Sequence, residues 1–301
     1  MEIDRRAFIA SLGGPAAIAA MGSEAKAEAL EHYMLHQLNV SALSQSTAAA
    51  GGKGYPTVAE IAAQIEDRSF RRGVGDLFTS TPGVIFPTDT SGRPAPVENV
   101  TQNLTRGARV QRLPPMPARP TLADFFNLRF TSISNHVLQS ATRALKTGMS
   151  EEIVLACLLH DVVQSLIKVD HGWWGAQLFE PYIPERSVFA IRYHQALRFY
   201  NDPANGYTYP EAYYRLFGED YKPEPYIDAA YKMARNHKWY FDARMVTLND
   251  TYAFELNVTP TLDPFVDIIG RHFKQPKEGL GLDNSPVAHM WRSMANPDAP
   301  I

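Results

Sequence analysis

The chain has 301 residues, enough for one large domain or for a domain with substantial extensions. Its hydrophobic fraction of 45% and its charged fraction of 20% are ordinary for a soluble globular protein. The net charge of −3 gives no electrostatic reason to expect nucleic acid as a partner, and no apolar run reaches the roughly 20 residues that a membrane span needs.

The first 27 residues are similar to an export signal of the twin-arginine type. Arg5 and Arg6 precede a moderately apolar stretch, and Ala25-Lys26-Ala27 offers a small-x-small cleavage site. The pattern predicts a signal at residues 1–27 and a periplasmic protein, with a cytoplasmic protein that begins with an ordinary helix as the alternative. The single cysteine, Cys157, does not decide between the two compartments.

Residues 28–120 are predicted to form an extension rather than the core. Residues 41–54 are rich in Ser, Ala and Gly, which is typical of a flexible linker, and residues 58–65 have the pattern of a short helix. The prolines between Pro82 and Pro120 exclude long helices and favour an extended segment that wraps around the rest of the protein.

From Thr121 onwards the pattern is helical, and the predicted fold is an all-α bundle over residues 121–258. The apolar stripe of residues 134–146 predicts an amphipathic helix, and Ser150 followed by two glutamates marks the start of the next one. Further helices are predicted at 172–180, 185–199, 226–236 and 242–254. Residues 200–226 are interpreted as an inserted loop or lid, and residues 259–301 as a C-terminal extension with short ordered pieces.

The most informative feature of the sequence is the pair His160-Asp161, which lies in a segment that is otherwise apolar on every side. That segment is predicted to be a buried helix that carries both residues. An aspartate is almost never buried without a partner, and the obvious partner here is a metal cation. The predicted metal ligands are His136, His160, Asp161, His171, His194 and Asp250.

The spacing of these residues indicates how they approach the metals. Adjacent residues on a helix diverge by about 100°, so His160 and Asp161 can approach a site from neighbouring directions, and Asp161 at the end of a buried helix could bridge two cations. His194 and Arg198 are four residues apart and share one helical face. A guanidinium beside a metal ligand suits an anionic substrate whose oxygens also reach the metal.

The ligand series resembles that of the HD-domain superfamily in its form with extra histidines. The segment 183–198 is especially similar to the branch of mixed-valence di-iron oxygenases that includes organophosphonate oxygenases and, more distantly, myo-inositol oxygenase. The resemblance covers roughly residues 125–255. It implies an HD-domain-like fold and an Fe(II)/Fe(III) pair that uses O2 to cleave a C–C or C–P bond of a small substrate.

Carried over to this sequence, the resemblance implies that His136, His160, Asp161 and Asp250 hold one iron. Asp161 would bridge to a second iron held by His171 and His194, and Asp161 and His194 are the predicted catalytic residues. Two further residues are predicted to contact an anionic substrate: Arg198, and Lys168 in the loop before His171. The family's Tyr and Glu before the first histidine have no counterpart in residues 126–129.

Two other functions fit the same residues. One is a metal-dependent phosphohydrolase or phosphodiesterase of the HD superfamily, in which Mn, Zn or another divalent metal activates water. The other is a non-catalytic metal-binding or sensory domain, although the intact ligand series argues against it. Asp242 and Glu255 remain alternatives to Asp250 as the last carboxylate, and His237 is interpreted as structural.

Overall fold

The computed structural model describes residues 113–208, 210–255 and 258–297, together with short stretches between residues 8 and 30. Several segments lie outside the described residues: the arginine pair at 5–6, the predicted linker at 41–54, the predicted short helix at 58–65 and most of the proline-rich segment. The export signal and the wrapping segment therefore stay predictions. All described residues except Leu113 and Pro114 belong to one compact unit.

The predicted all-α fold is confirmed. The described residues form helices and no strand, apart from one isolated bridge between Asp202 and Tyr207. None of these helices combines the length and the apolar character that a membrane crossing requires. The α-helices are α1 (Pro15–Ala20), α2 (Leu122–Leu128), α3 (Ser134–Lys146), α4 (Glu151–Leu159), α5 (His171–Phe179), α6 (Glu185–Leu197), α7 (Pro210–Phe217), α8 (Pro225–Arg235), α9 (Tyr240–Thr251), α10 (Val266–His272) and α11 (Ala288–Ala295).

Helix α4 is a buried, apolar helix that leads directly to His160 and Asp161. Its first turn carries two glutamates, whose negative charge stabilises a helix N-terminus. Every residue from Ile153 to Leu159 is buried. The helix was predicted to carry His160 and Asp161, but it ends at Leu159: His160 is its C-cap, still with helical backbone angles, and Asp161 lies beyond it. His160 Nδ1 donates a hydrogen bond to the Cys157 carbonyl, which the next helical hydrogen bond would otherwise use. Asp161 then begins a 3₁₀ turn.

Helix α6 lies at the centre of the unit. It packs against α9, α5, α4 and α8, while α3 packs against α4 and α9. The Ser187 hydroxyl also ties α6 to the start of α4, since it donates to the Glu152 carbonyl at 2.9 Å. Five helices, α3, α4, α5, α6 and α9, therefore surround one buried region, and all of the predicted metal ligands lie on these helices or at their ends.

Two regions are more ordered than their composition suggested. The predicted loop or lid at 200–226 contains α7, whose buried Tyr213 stacks with Tyr221 at 5.8 Å between ring centroids. The predicted C-terminal extension contains α10 and α11, and Trp291 of α11 is fully buried against Phe125 of α2. In the N-terminal region Phe8 is also fully buried, in edge contact with Phe217.

Candidate metal centre

The six predicted metal ligands converge in the interior of the helical unit. Their side chains are completely buried, and their ligand atoms form two groups that share one residue. The first group is His136, His160, Asp161 and Asp250, and the second group is Asp161, His171 and His194. Helices α3 and α9 and the end of α4 supply the first group, whereas α5 and α6 supply the two histidines of the second.

In the first group, two imidazoles face two carboxylates. His136 Nε2 lies 3.3 Å from Asp161 Oδ2 and 3.2 Å from Asp250 Oδ1. His160 Nε2 lies 3.4 Å and 3.6 Å from the same two oxygens. The two Nε2 atoms are themselves 3.3 Å apart, so all four ligand atoms border one small volume.

In the second group, two imidazoles face the other oxygen of Asp161. His171 Nε2 lies 2.9 Å from Asp161 Oδ1, and His194 Nε2 lies 3.3 Å from it. The Nε2 atoms of His171 and His194 are 3.3 Å apart. Since Oδ2 of Asp161 faces the first group and Oδ1 the second, this carboxylate is oriented to bridge two neighbouring cations.

Each of the four histidines uses its other ring nitrogen in a hydrogen bond to a backbone carbonyl. A carbonyl can only accept, so each Nδ1 carries a proton, and each Nε2 is the nitrogen that faces the cluster and could offer a lone pair to a metal. Such outer hydrogen bonds are the usual device that fixes the orientation of a metal-binding histidine. The acceptors are the carbonyls of Ala253 for His136 at 3.2 Å, Cys157 for His160 at 2.8 Å, Lys168 for His171 at 2.9 Å and Ile191 for His194 at 2.6 Å.

This arrangement fits metal ions. The oxygens of Asp161 and Asp250 accept no hydrogen bond from the described part of the chain, although both residues are fully buried. Imidazole lone pairs and carboxylate oxygens that face one another are stable only with a cation between them, either a proton or a metal. Ligand atoms at about 2.0–2.2 Å from one ion lie roughly 3 Å from each other, close to the spacings seen in both groups.

The electrostatics of the metal-free protein differ between the two groups. Burial lowers the pKa of His160, but the carboxylates of Asp161 and Asp250 outweigh it and raise that pKa to about 10. The pKa of His136 is raised by the same carboxylates against the effect of burial. By contrast, burial and the neighbouring imidazoles lower the pKa of His194 to about 4, against the opposing effect of Asp161. The first group therefore attracts positive charge more strongly than the second.

The predicted substrate residue Arg198 caps α6 and is almost completely buried. Its Nε lies 3.6 Å from Asp250 Oδ2, at the edge of the first group. Burial opposes ionisation of Asp250, but the Arg198 charge and the neighbouring histidines hold the pKa of that carboxyl far below its usual range. The structure thus brings Arg198 to the cluster, whereas the predicted substrate residue Lys168 has an exposed side chain and meets the cluster only through its carbonyl.

The structure also separates the alternative carboxylates from the cluster. Asp242 accepts two hydrogen bonds from Arg186, at 2.6 and 2.8 Å, and Glu255 pairs with Arg143 at the surface. Neither belongs to a ligand group, whereas Asp250 does. His237 stacks on Phe189 with ring centroids 4.1 Å apart, in keeping with its structural interpretation.

Several residues that brace the C-terminal end of α6 were not singled out from the sequence. Thr247 Oγ1 donates to the His194 carbonyl at 2.8 Å, Arg244 Nη1 to the Leu197 carbonyl at 2.9 Å, and Tyr207 Oη to the Arg198 carbonyl at 2.8 Å. The three-residue spacing of 244, 247 and 250 along α9 is a signal for the first two. Tyr207 comes from a loop and has no such signal.

Comparison with known proteins gives one informative match. No protein-family model matches the chain. The chain is similar to a (1-hydroxy-2-(trimethylamino)ethyl)phosphonate dioxygenase (glycine-betaine-forming) from Leisingera caerulea, with 31% identity over 80 residues. The match covers 23% of this chain and 41% of that protein, so the chain spans about two fifths of its relative's length. It supports a loose relation to that dioxygenase, which is an enzyme.

Proposed function

We propose that this protein is a di-iron, O2-dependent oxygenase of the HD-domain superfamily, in its mixed-valence branch. The proposed substrate is a small anionic molecule in which a C–C or C–P bond is cleaved. The observation that carries the proposal is the pair of buried ligand groups that share the two oxygens of Asp161. The similarity to a phosphonate dioxygenase supports the oxygenase chemistry and the anionic substrate.

The composition of the second group supports iron as the metal. Two histidines and one carboxylate are the protein ligands typical of non-haem iron sites that keep open positions for substrate and O2. The first group offers two histidines and two carboxylates, a harder and more negative set of ligands. An iron pair bound in the two groups would supply the redox chemistry that activates O2.

The residues of the chain have separate tasks in this proposal. Asp161 would be the ligand common to both metals, and the carbonyl-bonded imidazoles of the four histidines would supply Nε2 as the other nitrogen ligands. Arg198, whose Nε lies beside a ligand of the first group, would bind a substrate anion through its guanidinium. Complete burial of the ligands excludes bulk water, which strengthens each of these electrostatic interactions.

The test is a parallel assay of oxygenation and hydrolysis on separate samples of the protein loaded with iron, Mn or Zn. Small alkyl phosphonates and hydroxycarboxylates are screened by O2 uptake, and p-nitrophenyl phosphate and its diester are screened for hydrolysis. The proposal expects O2 uptake coupled to bond cleavage in at least one compound, with the activity lost in Asp161→Ala. Phosphoester hydrolysis that needs no O2, with Mn or Zn as effective as iron, would replace the oxygenase with an HD-type phosphohydrolase.

A further inference from the structure

The start of α5 lies unusually close to the C-terminal half of α6. The close contact is made by Gly172, which directly follows the metal ligand His171. Its backbone N–H donates to the side-chain carbonyl of Gln195 at 3.3 Å, and Gln195 directly follows the ligand His194. The two helices that supply the second ligand group therefore meet at this glycine.

The space beside Gly172 has no room for a side chain. A Cβ atom at this position would lie 2.9 Å from the Ile191 carbonyl oxygen, a contact that real Cβ atoms do not make. It would also lie 3.1 Å from Cε1 and 3.2 Å from Nδ1 of the His194 ring. The first of these neighbours is helix backbone, which cannot turn aside as the end of a flexible side chain can.

The two neighbours are the partners of one hydrogen bond. His194 Nδ1 donates to the Ile191 carbonyl at 2.6 Å, and this bond directs His194 Nε2 at Asp161 and His171. A methyl group on residue 172 would press on both the donor and the acceptor. The ring of His194 would have to rotate or shift, and its Nε2 would leave its place in the second group.

We infer that Gly172 is a positioning residue for the second metal, because the absence of a side chain lets His194 sit against α5 in its metal-binding orientation. The inference deepens the proposed two-metal function and rests on it. None of the three atoms nearest to a Cβ at Gly172 belongs to a ligand specific to the first group, His136, His160 or Asp250. A substitution there should consequently affect the second metal and spare the first.

Gly175, one turn further along α5, provides a matched control. A Cβ at Gly175 would meet its nearest neighbours at 3.5 to 3.8 Å, which is ordinary van der Waals contact. Both Gly172→Ala and Gly175→Ala change a glycine to an alanine in the same helix, so each variant gains helix propensity. Only the first variant should displace His194.

The experiment titrates metal-free parent, Gly172→Ala and Gly175→Ala with ferrous iron under anaerobic conditions, and measures bound iron per chain. Partial oxidation followed by low-temperature EPR then detects the coupled ferrous/ferric pair. We expect two irons and a coupled signal in the parent and in Gly175→Ala. In Gly172→Ala we expect the second iron to bind about 10- to 100-fold more weakly, with loss of the coupled signal.

Two outcomes would overturn the inference: parental affinity for both irons in Gly172→Ala, or an equal weakening of both irons. A parent protein that binds fewer than two irons would instead refute the proposed function, and the inference would fall with it. If Gly172→Ala gives no cooperative thermal transition, Gln195→Ala replaces it, since this change removes the Gly172 partner and adds no volume. Weaker binding of the second iron alone is expected there, and unchanged binding would contradict the inference.

Discussion

The two ligand groups of the cluster share Asp161 but differ in charge and in number of ligands. The first group has four ligands, two of them carboxylates, and it is bordered by Arg198. The second group has three ligands, and its only carboxylate is the shared one. This difference indicates that the first group could bind a metal more tightly, through four protein ligands, whereas the second could offer a metal only three and would leave more positions to exogenous molecules.

The pKa values of the histidines support the same distinction between the two groups. The carboxylates of the first group raise the pKa of His160 to about 10, whereas burial lowers that of His194 to about 4. The two carboxylates that stabilise a proton on His160 would also stabilise a metal cation there, once that proton has been released. We therefore expect the two groups to fill in order, the first before the second.

The largest effect should come from Asp161→Ala, which removes a ligand from both groups at once. We expect both metals to be lost, so that metal analysis after gel filtration finds close to none per chain. Asp242→Ala is the matched control, because Asp242 is also a buried aspartate but is bonded to Arg186 outside the cluster. Retention of two metals in Asp161→Ala would break the account of a shared bridging ligand.

Replacing single histidines should distinguish metal binding by the first group from metal binding by the second. His194→Ala is expected to weaken the second metal by about 10- to 100-fold and to leave the first in place. His136→Ala should weaken the first metal instead, and the second with it if filling is sequential. Stepwise metal titration of the two variants gives the comparison, and identical titration curves would contradict the division into two groups.

Arg198→Ala tests the anion-binding role at the edge of the first group. A hydrogen bond to a charged group contributes about 1.5–3 kcal/mol, so anion affinity should fall by roughly 10- to 100-fold. Inorganic phosphate serves as the probe, through its perturbation of the spectrum of the metal-loaded protein. Metal content should stay at two per chain, and an unchanged phosphate affinity would move anion binding to another residue.

A smaller and graded effect is expected from pH. In the metal-free protein the pKa of His160 is raised, so this imidazole is protonated below about pH 10 and must release its proton when a metal binds. Affinity of the first group should rise with pH near neutrality, by at least about tenfold per pH unit for the proton that His160 releases. His194 is already neutral above about pH 4, so its own protonation should add no pH dependence at neutral pH. Competition with a chelator of known protonation constants measures the metal affinity of both groups as a function of pH. An affinity of the first group that does not change with pH would contradict the raised pKa of His160.

Much of the fold and of the cluster followed from local sequence patterns. The apolar stripe of residues 134–146 gave the observed bounds of α3, and the paired glutamates marked the start of α4. The buried His160-Asp161 pair indicated a metal from residue chemistry alone, because such a carboxylate needs a partner. These features depend on neighbours in sequence, which a single chain displays.

Features that depend on tertiary contacts could not be predicted in the same way. The different positions of Asp250 and Asp242 depend on such contacts: Asp242 is bonded to Arg186, 56 residues away in sequence, while Asp250 lies in the cluster. The helix α7 was missed because its segment is rich in Tyr and Pro, although its aromatic side chains pack in the unit. Gly172 was also not singled out, because its role is visible only when α6 lies against it.

The most direct test of the central claim is the iron content of anaerobically purified protein, combined with low-temperature EPR after partial oxidation. The account predicts two irons per chain and a signal from a coupled ferrous/ferric pair. That signal should disappear in His194→Ala while one iron remains bound. A single metal per chain, or two metals that show no magnetic coupling at any stage of oxidation, would contradict a di-iron centre bridged by Asp161.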